Sequence, residues 1–296
     1  MFIIYFRRNY SHLKDVIKIK PHFLIWLVLL NITNKILGGF KIRTALEIFK
    51  IRLSFMQWFG ASVINNFYNY LAPKSGSALL AVYFKNNHKL EYNKYLSTLV
   101  VMAMITILTL GIIGFVTSLY AYKNYIITSS LFILIFIAMI TLPLILLIMP
   151  RIYFNKKGFF EKINRFLVGW HTLRKNKKMI ALLFLSDVGI LMSLAFRYYI
   201  MFKMFSLNTN LISCILIAPF NILMHFATIV PGGYGIKEAI VGFVSKLTNI
   251  GFDGGVISTL SDRIINMTVS FILGPLFSFI LFKRIFIPKK EIVKNE

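Results

Sequence analysis

"TIVPGGYGIKEAIVGF", residues 228–243, lies between apolar runs, yet within eight positions it carries a proline, three glycines, a lysine and a glutamate. Backbone N–H and C=O groups cannot go unpaired in lipid. Non-helical chain at membrane depth therefore survives only where protein buries it or where it lines a watery cavity. Pro231 stops the helix before it, and Gly232, Gly233 and Gly235 permit conformations closed to other residues. A new helix then opens with Lys237 and Glu238 in its first turn. A glycine-rich turn feeding a helix start aims several N–H groups outward, which suits an anion such as a lipid phosphate. Spacing alone accounts equally well for Glu238 as a charge favourable to the helix dipole.

The flanking runs set the fold class. The chain has 296 residues, 57% of them hydrophobic, 16% aromatic and only 15% charged, more apolar surface than a soluble domain of this size can cover. Apolar windows fall at 22–40, 55–72, 95–120, 124–149, 179–203, 211–230 and 255–282, with a shorter one at 236–250. About 20 apolar residues cross a hydrocarbon core, so five of these are comfortable spans. The first, second and shortest windows carry polar or charged residues and fit less well. The expected fold is an all-α polytopic integral membrane protein of seven to eight apolar segments. We expect a single transmembrane domain over 1–296, with a basic tail at 1–21, a cytoplasmic amphipathic loop at 151–178 and a basic cytoplasmic tail at 283–296.

The formal net charge of +24 is spread between apolar runs instead of over one soluble face. The partner it implies is therefore the anionic lipid head groups of the inner leaflet, and no nucleic acid. The stretch 151–178 holds nine lysines and arginines against one acid, Glu161, whereas the turns near 121–124 and 203–210 offer only Lys123 and Lys203. The charge rule puts 151–178 inside, and with it 74–94 and the tail after 282, which requires 236–250 to cross as a short, tilted element. The N-terminal quarter resists the rule. If 55–72 crosses, the basic stretch 41–52 lands outside; if 55–72 re-enters, the tail 1–20 does. Phe159, Phe160, Ile163, Phe166, Leu167 and Trp170 recur at helical spacing among basic residues, as in a helix lying on the inner leaflet. The N-terminus has its apolar residues before its charges, so we expect it to be retained. Cys214 reads as a small buried hydrophobe.

A second break, "NYLAPKSGSALLAVYF" (69–84), runs an apolar helix into Pro73, then Gly76, then a fresh apolar stretch. The two Pro/Gly-broken helices form a faint internal repeat, over 22–120 and 179–282. Paired discontinuous helices in two halves point to a transport site near the midplane. Ionisable residues inside spans are functional candidates. Asp187 lies roughly 13 Å past Lys178 at 1.5 Å per residue, and Asp262 and Arg263 fall in the last span. Arg263 is expected to face Glu238 or Asp187, either as part of a phosphate site or as an inert ion pair. Arg197 is expected to snorkel to the surface and His225 to be an ordinary core histidine. His and Cys are too few and scattered for a metal site. No phosphate-binding P-loop is present, and no catalytic residue or cofactor is expected.

Together, "IRLSFMQWFGASVINNFYNYLAPKSG" early and "APFNILMHFATIVPGGYGIKEAIVGF" with "SDRIINMTVSFILG" late resemble the transmembrane region of lysylphosphatidylglycerol synthases and its stand-alone flippase-like relatives. The resemblance runs over about 22–283. Its most specific part is Pro231, Gly232, Gly233, Gly235 and Glu238, followed by Arg263. It implies a multi-pass protein of a bacterial cytoplasmic membrane that moves an anionic phospholipid or lipid-linked sugar between leaflets, without the soluble catalytic domain of the fused members. Pro73, Gly76, Pro231, Gly232, Gly233, Gly235, Glu238, Arg263 and Asp187 are the expected substrate-binding residues. Two other readings stay open: a non-catalytic membrane subunit of a cell-envelope assembly pathway with a glycosyltransferase or similar partner, and a membrane-embedded lipid transferase or polymerase. One departure is plain. The family usually has a Gly-Glu pair after its first proline loop and a charged cluster in the next helix, but here Ser77 follows Gly76 and 95–112 carries no charge.

Overall fold

A computed structural model describes residues 21–127, 129–148, 172, 175–227 and 235–286. Among these it shows nine α-helices: α1 (Pro21–Leu46), α2 (Phe55–Leu71), α3 (Ser75–His88), α4 (Tyr92–Lys123), α5 (Leu131–Ile148), α6 (Lys177–Met204), α7 (Leu211–Ala227), α8 (Ile236–Leu247) and α9 (Phe252–Phe286). No strand occurs among the described residues, so the fold is all-α. Four stretches are long and apolar enough to cross a membrane: His22–Phe49, Tyr92–Lys123, Lys177–Met204 and Phe252–Phe282. With 18 residues, α5 reaches about 27 Å and sits at the lower edge of that requirement.

The other four helices are too short. α2 and α7 have 17 residues each, α3 has 14 and α8 has 12. That gives about 25, 25, 21 and 18 Å against a hydrocarbon core of about 30 Å. They pair into two hairpins. In the first, Ser75 Oγ donates to the Tyr68 carbonyl (2.6 Å), the Gly76 N–H to Asn69 Oδ1 (3.1 Å) and Ser77 Oγ to Asn65 Oδ1 (3.0 Å). The start of α3 thus meets the end of α2, while Tyr83 and Asn87 near the end of α3 share a cavity with Met56 and Gln57 at the start of α2, so the helices are antiparallel. A Cβ on Gly76 would stand 2.3 Å from the Asn65 carbonyl oxygen, so only glycine lets the two backbones cross there. Lys74, in the turn, takes the left-handed conformation at φ 58°.

The second hairpin is α7 with α8, whose connection at 228–234 lies outside the described residues. Its open ends meet: Asn208, Thr209, Asn210 and Ser213 line one cavity with Thr248 and Asn249, beside Ile126. This base sits where α9 begins. The base of the first hairpin sits where α9 ends, because Met56 and Gln57 line a cavity with Tyr83, Asn87, His88, Ile280 and Leu281. The hairpins thus insert from opposite ends of the molecule. Among the described residues, the end that holds the starts of α4 and α6 is rich in lysine and arginine, and the other is the low-charge end.

This architecture settles the arrangement of the N-terminal quarter. Ala45 clusters with Met179 and Leu183, a Cβ on Gly189 would meet Leu37, and Ser193 Oγ donates to the Leu30 carbonyl. Helix α1 is therefore antiparallel to α6 and runs from the low-charge end to the basic end, while 55–72 re-enters. It also corrects the expectation for 236–250. At about 18 Å α8 does not cross. The hairpin begins and finishes at the low-charge end, and α9 alone carries the chain across. The proposed inner-leaflet helix at 159–170 lies outside the described residues.

Small residues set the closest approaches, as membrane packing favours. Gly111 and Gly114 on α4 admit α5, where an added Cβ would stand 2.2 Å from the Phe136 ring. Gly274 on α9 admits Phe67 of α2 in the same way. One apolar cluster fills the low-charge half between α4, α5, α6, α7 and α8, including Phe132, Phe136, Tyr198 and Phe202. Another fills the basic half, where Trp58, Phe59, Tyr83 and Phe84 pack on Phe277 and Leu281. Ile25, Leu134, Ile264, Ile272 and Phe279 stay exposed, as residues facing hydrocarbon would.

Candidate functional site

Helix α9 carries Thr259, Asp262, Arg263, Asn266 and Ser270 at spacings of three and four, so they form one polar stripe on an otherwise apolar helix. Arg263 lies about 16 Å from the start of α9 at Phe252, near the middle of a hydrocarbon layer of about 30 Å. The tip of the first hairpin and the start of α8 approach this stripe from opposite directions.

From the low-charge side comes the start of α8. Gly235 adopts φ 82°, a conformation L side chains rarely take. Its N–H donates to Glu238 Oε2 at 2.9 Å, so the carboxylate caps the helix start. The other oxygen, Oε1, lies 2.8 Å from Arg263 Nη2. Glu238 thereby ties the start of α8 to α9, with both partners of the ion pair buried. Alongside, Arg197 of α6 lies 2.9 Å from Asp262. Lys237 is also buried and falls within electrostatic reach of Asp262, Arg263, Arg197 and Glu238.

From the basic side comes the tip of the first hairpin. Asn266 Nδ2 donates to the Tyr70 hydroxyl at 2.7 Å. Lys35 of α1 donates to Asn266 Oδ1 (3.0 Å) and Ser270 Oγ (2.9 Å). Tyr70 in turn lies within reach of the charges on Asp262, Arg263 and Arg197. On the low-charge side, Asn221 donates to the Tyr198 hydroxyl, which also lies 3.4 Å from Thr259 Oγ1. One buried network thus joins α1, α2, α6, α7, α8 and α9.

Its charge does not balance. Among the described residues the network holds four buried basic side chains, Lys35, Arg197, Lys237 and Arg263, against two buried carboxylates, Glu238 and Asp262. Hydrogen bonding is incomplete as well: Arg197 Nε and Nη1 and Glu238 Oε1 are buried with no hydrogen-bond partner among the described residues. Arg197 and Glu238 therefore touch their ion-pair partners off the hydrogen-bonding axis. Buried charge without a counter-charge costs several kcal/mol. A site with this surplus and unfilled donors is chemically suited to an anion.

The candidates from the sequence separate as follows. Arg263 and Glu238 meet, with Gly235 beside them. Asp187 does not join them. It is held by Lys41 at 2.5 Å and by the Thr106 hydroxyl at 3.1 Å, about 15 Å along α6 from Arg197. Pro73 and Gly76 lie at the tip of the first hairpin. Pro231, Gly232 and Gly233 fall outside the described residues, as does the side chain of His225. Arg197 does not snorkel: it is buried, because α9 offers it Asp262 closer than the surface offers water. Cys214 is buried in an apolar cluster, as expected. Lys35, Tyr70, Tyr198, Asn221 and Asn266 escape the sequence reading. The spacing of 259, 262, 263, 266 and 270 signals the stripe, but nothing in the order of residues says which helices face it. The charges that the resemblance leads one to expect at position 77 and within 95–112 are absent, and the buried lysines that face α9 and α6 here, Lys35 and Lys41, come from α1.

The family model for the lysylphosphatidylglycerol synthase TM region matches residues 9–279. The chain belongs to that family. In this member of the lysylphosphatidylglycerol synthase TM region family, the match takes in both hairpins and the whole stripe on α9. It is a multi-pass membrane protein of a lipid-related, flippase-like family. Neither a curated protein nor a solved structure matches the chain significantly.

Proposed function

We propose that this protein moves an anionic lipid, either a phospholipid or a lipid-linked sugar, between the leaflets of a bacterial cytoplasmic membrane. One observation carries the reading: two more buried basic side chains than carboxylates, in a mid-depth network that the tip of the first hairpin and the start of α8 reach from opposite ends. The phosphate takes the place of the missing counter-charge. Arg197 and Lys237 are the groups that meet it, while Glu238 and Arg263 hold the broken segment of the second hairpin on α9. Two hairpins of opposite direction offer a head group one route from each side, and rocking one against the other exposes the same site alternately. A phosphodiester neutralises one of the surplus charges, and the diphosphate of a lipid-linked sugar neutralises both. By the charge rule the basic end faces the cytoplasm.

The test is movement in proteoliposomes carrying a fluorescent phosphatidylglycerol, a fluorescent phosphatidylcholine or a fluorescent polyprenyl diphosphate sugar. The reading expects the anionic lipids to change leaflet at least tenfold faster than phosphatidylcholine, and Arg197→Gln with Lys237→Gln to remove the difference. Equal rates for all three lipids, or rates no higher than in protein-free vesicles, overturn it.

A further inference from the structure

A groove of about 300 Å³ opens beside the second hairpin. Leu131, Phe132 and Ile135 of α5 form one wall, Phe220 of α7 closes it, and Ala239, Ile240, Phe243, Val244 and Leu247 of α8 form the other. Every one of these side chains is apolar. Leu131 and Phe243 are 48% and 55% exposed, so the groove faces whatever surrounds the molecule at this depth, which for a membrane helix is hydrocarbon. Its position decides what occupies it. Lys237, Ile240, Val244 and Leu247 follow one another at helical spacing on one stripe of α8. The groove's deep end, at Ala239 and Ile240, therefore lies within one helical turn of the buried Lys237, and its far end, at Leu247, reaches the low-charge end of the molecule. An apolar trough leading out of an anion site matches the two halves of one lipid molecule.

We infer that this groove holds one acyl chain of the lipid whose phosphate occupies the charge network. This rests on the proposed function and deepens it: the ligand is an anionic amphiphile, recognised by tail as well as head, and a free phosphate or soluble sugar phosphate lacks half of the contacts. It also gives the site a lateral opening between α5 and α8, so the tail never leaves hydrocarbon while the head sits at mid-depth.

Photolabelling decides the matter. The full chain is placed in nanodiscs containing phosphatidylglycerol with a diazirine halfway along one acyl chain, or phosphatidylcholine bearing the same chain, and the labelled residues are mapped. The expected result is label on Ile240 and Phe243 at least fivefold stronger from the anionic probe, with Lys237→Gln reducing that preference to near one. Phe243→Trp, on the exposed side of the groove where a larger ring is tolerated, should cut labelling of Ile240 severalfold while the thermal midpoint holds. Equal labelling by both probes, unmoved by Lys237→Gln, identifies ordinary boundary lipid and overturns the inference. Leaflet exchange measured on the same preparations separates the two ideas. Selective exchange without selective labelling sinks the groove alone, whereas selective labelling without exchange sinks translocation alone.

Discussion

Glu238 and Arg263 are partners in a buried ion pair, but the surrounding surplus makes them unequal. Replacing Glu238 with Gln removes a carboxylate from a network already rich in basic groups and leaves a single amide oxygen to serve both the Gly235 N–H and Arg263. Replacing Arg263 with Gln removes one of those basic groups. Breaking a buried pair by removing one partner costs about 3–5 kcal/mol. Thermal unfolding in detergent should accordingly show Glu238→Gln near that cost and Arg263→Gln well below it; the reverse order would mean the surplus is not felt. Asp187→Asn should lower the unfolding midpoint, because the buried Lys41 loses its counter-charge, yet leave head-group selectivity per folded molecule unchanged. A lost preference for anionic lipid in that variant would return Asp187 to the binding site. The pairing of Glu238 with Arg263 was legible as one of two alternatives, since intramembrane charges must find each other. Arg197 was misread because its distance from a surface lysine says nothing of an aspartate arriving from a helix some 65 residues later.

Hairpins were legible where proline and glycine interrupt apolar runs, and their lengths explain why: 12 to 17 residues of helix cannot cross about 30 Å. What the order of residues could not supply was direction, since a short helix that turns back and one that tilts through have the same composition. Gly76 tests the first hairpin. An alanine there sets a methyl group 2.3 Å from the Asn65 carbonyl oxygen, which is backbone and cannot rotate away. The expected cost is about 1–3 kcal/mol or more, the range for overpacking, read as a drop in thermal midpoint. Gly251→Ala is the comparison: nothing lies within 4 Å of its added Cβ, so only the left-handed φ of 104° opposes it. Were Gly76→Ala neutral, α2 and α3 would not cross where the hydrogen bonds of Ser75, Gly76 and Ser77 put them.

The molecule is built from two hairpins that enter from opposite ends and meet on α9, with α1 and α6 closing the network between them. Its class was legible in composition. The N-terminal quarter was not legible, because the charge rule counts loops and α2–α3 makes none across the membrane. Single cysteines introduced after Cys214→Ser test this architecture. Gln57→Cys and Asn87→Cys should both react with an impermeant maleimide from one side, and Asn208→Cys and Asn249→Cys from the other. Labelling of residues 57 and 87 from opposite sides would mean α3 completes a crossing. The most direct test of the buried cation surplus is the lipid that stays with the purified protein, weighed by native mass spectrometry. Wild-type protein should retain anionic lipid above its share of the membrane, and the Arg197→Gln, Lys237→Gln variant should lose that enrichment. The same lipid profile in both proteins would contradict the account.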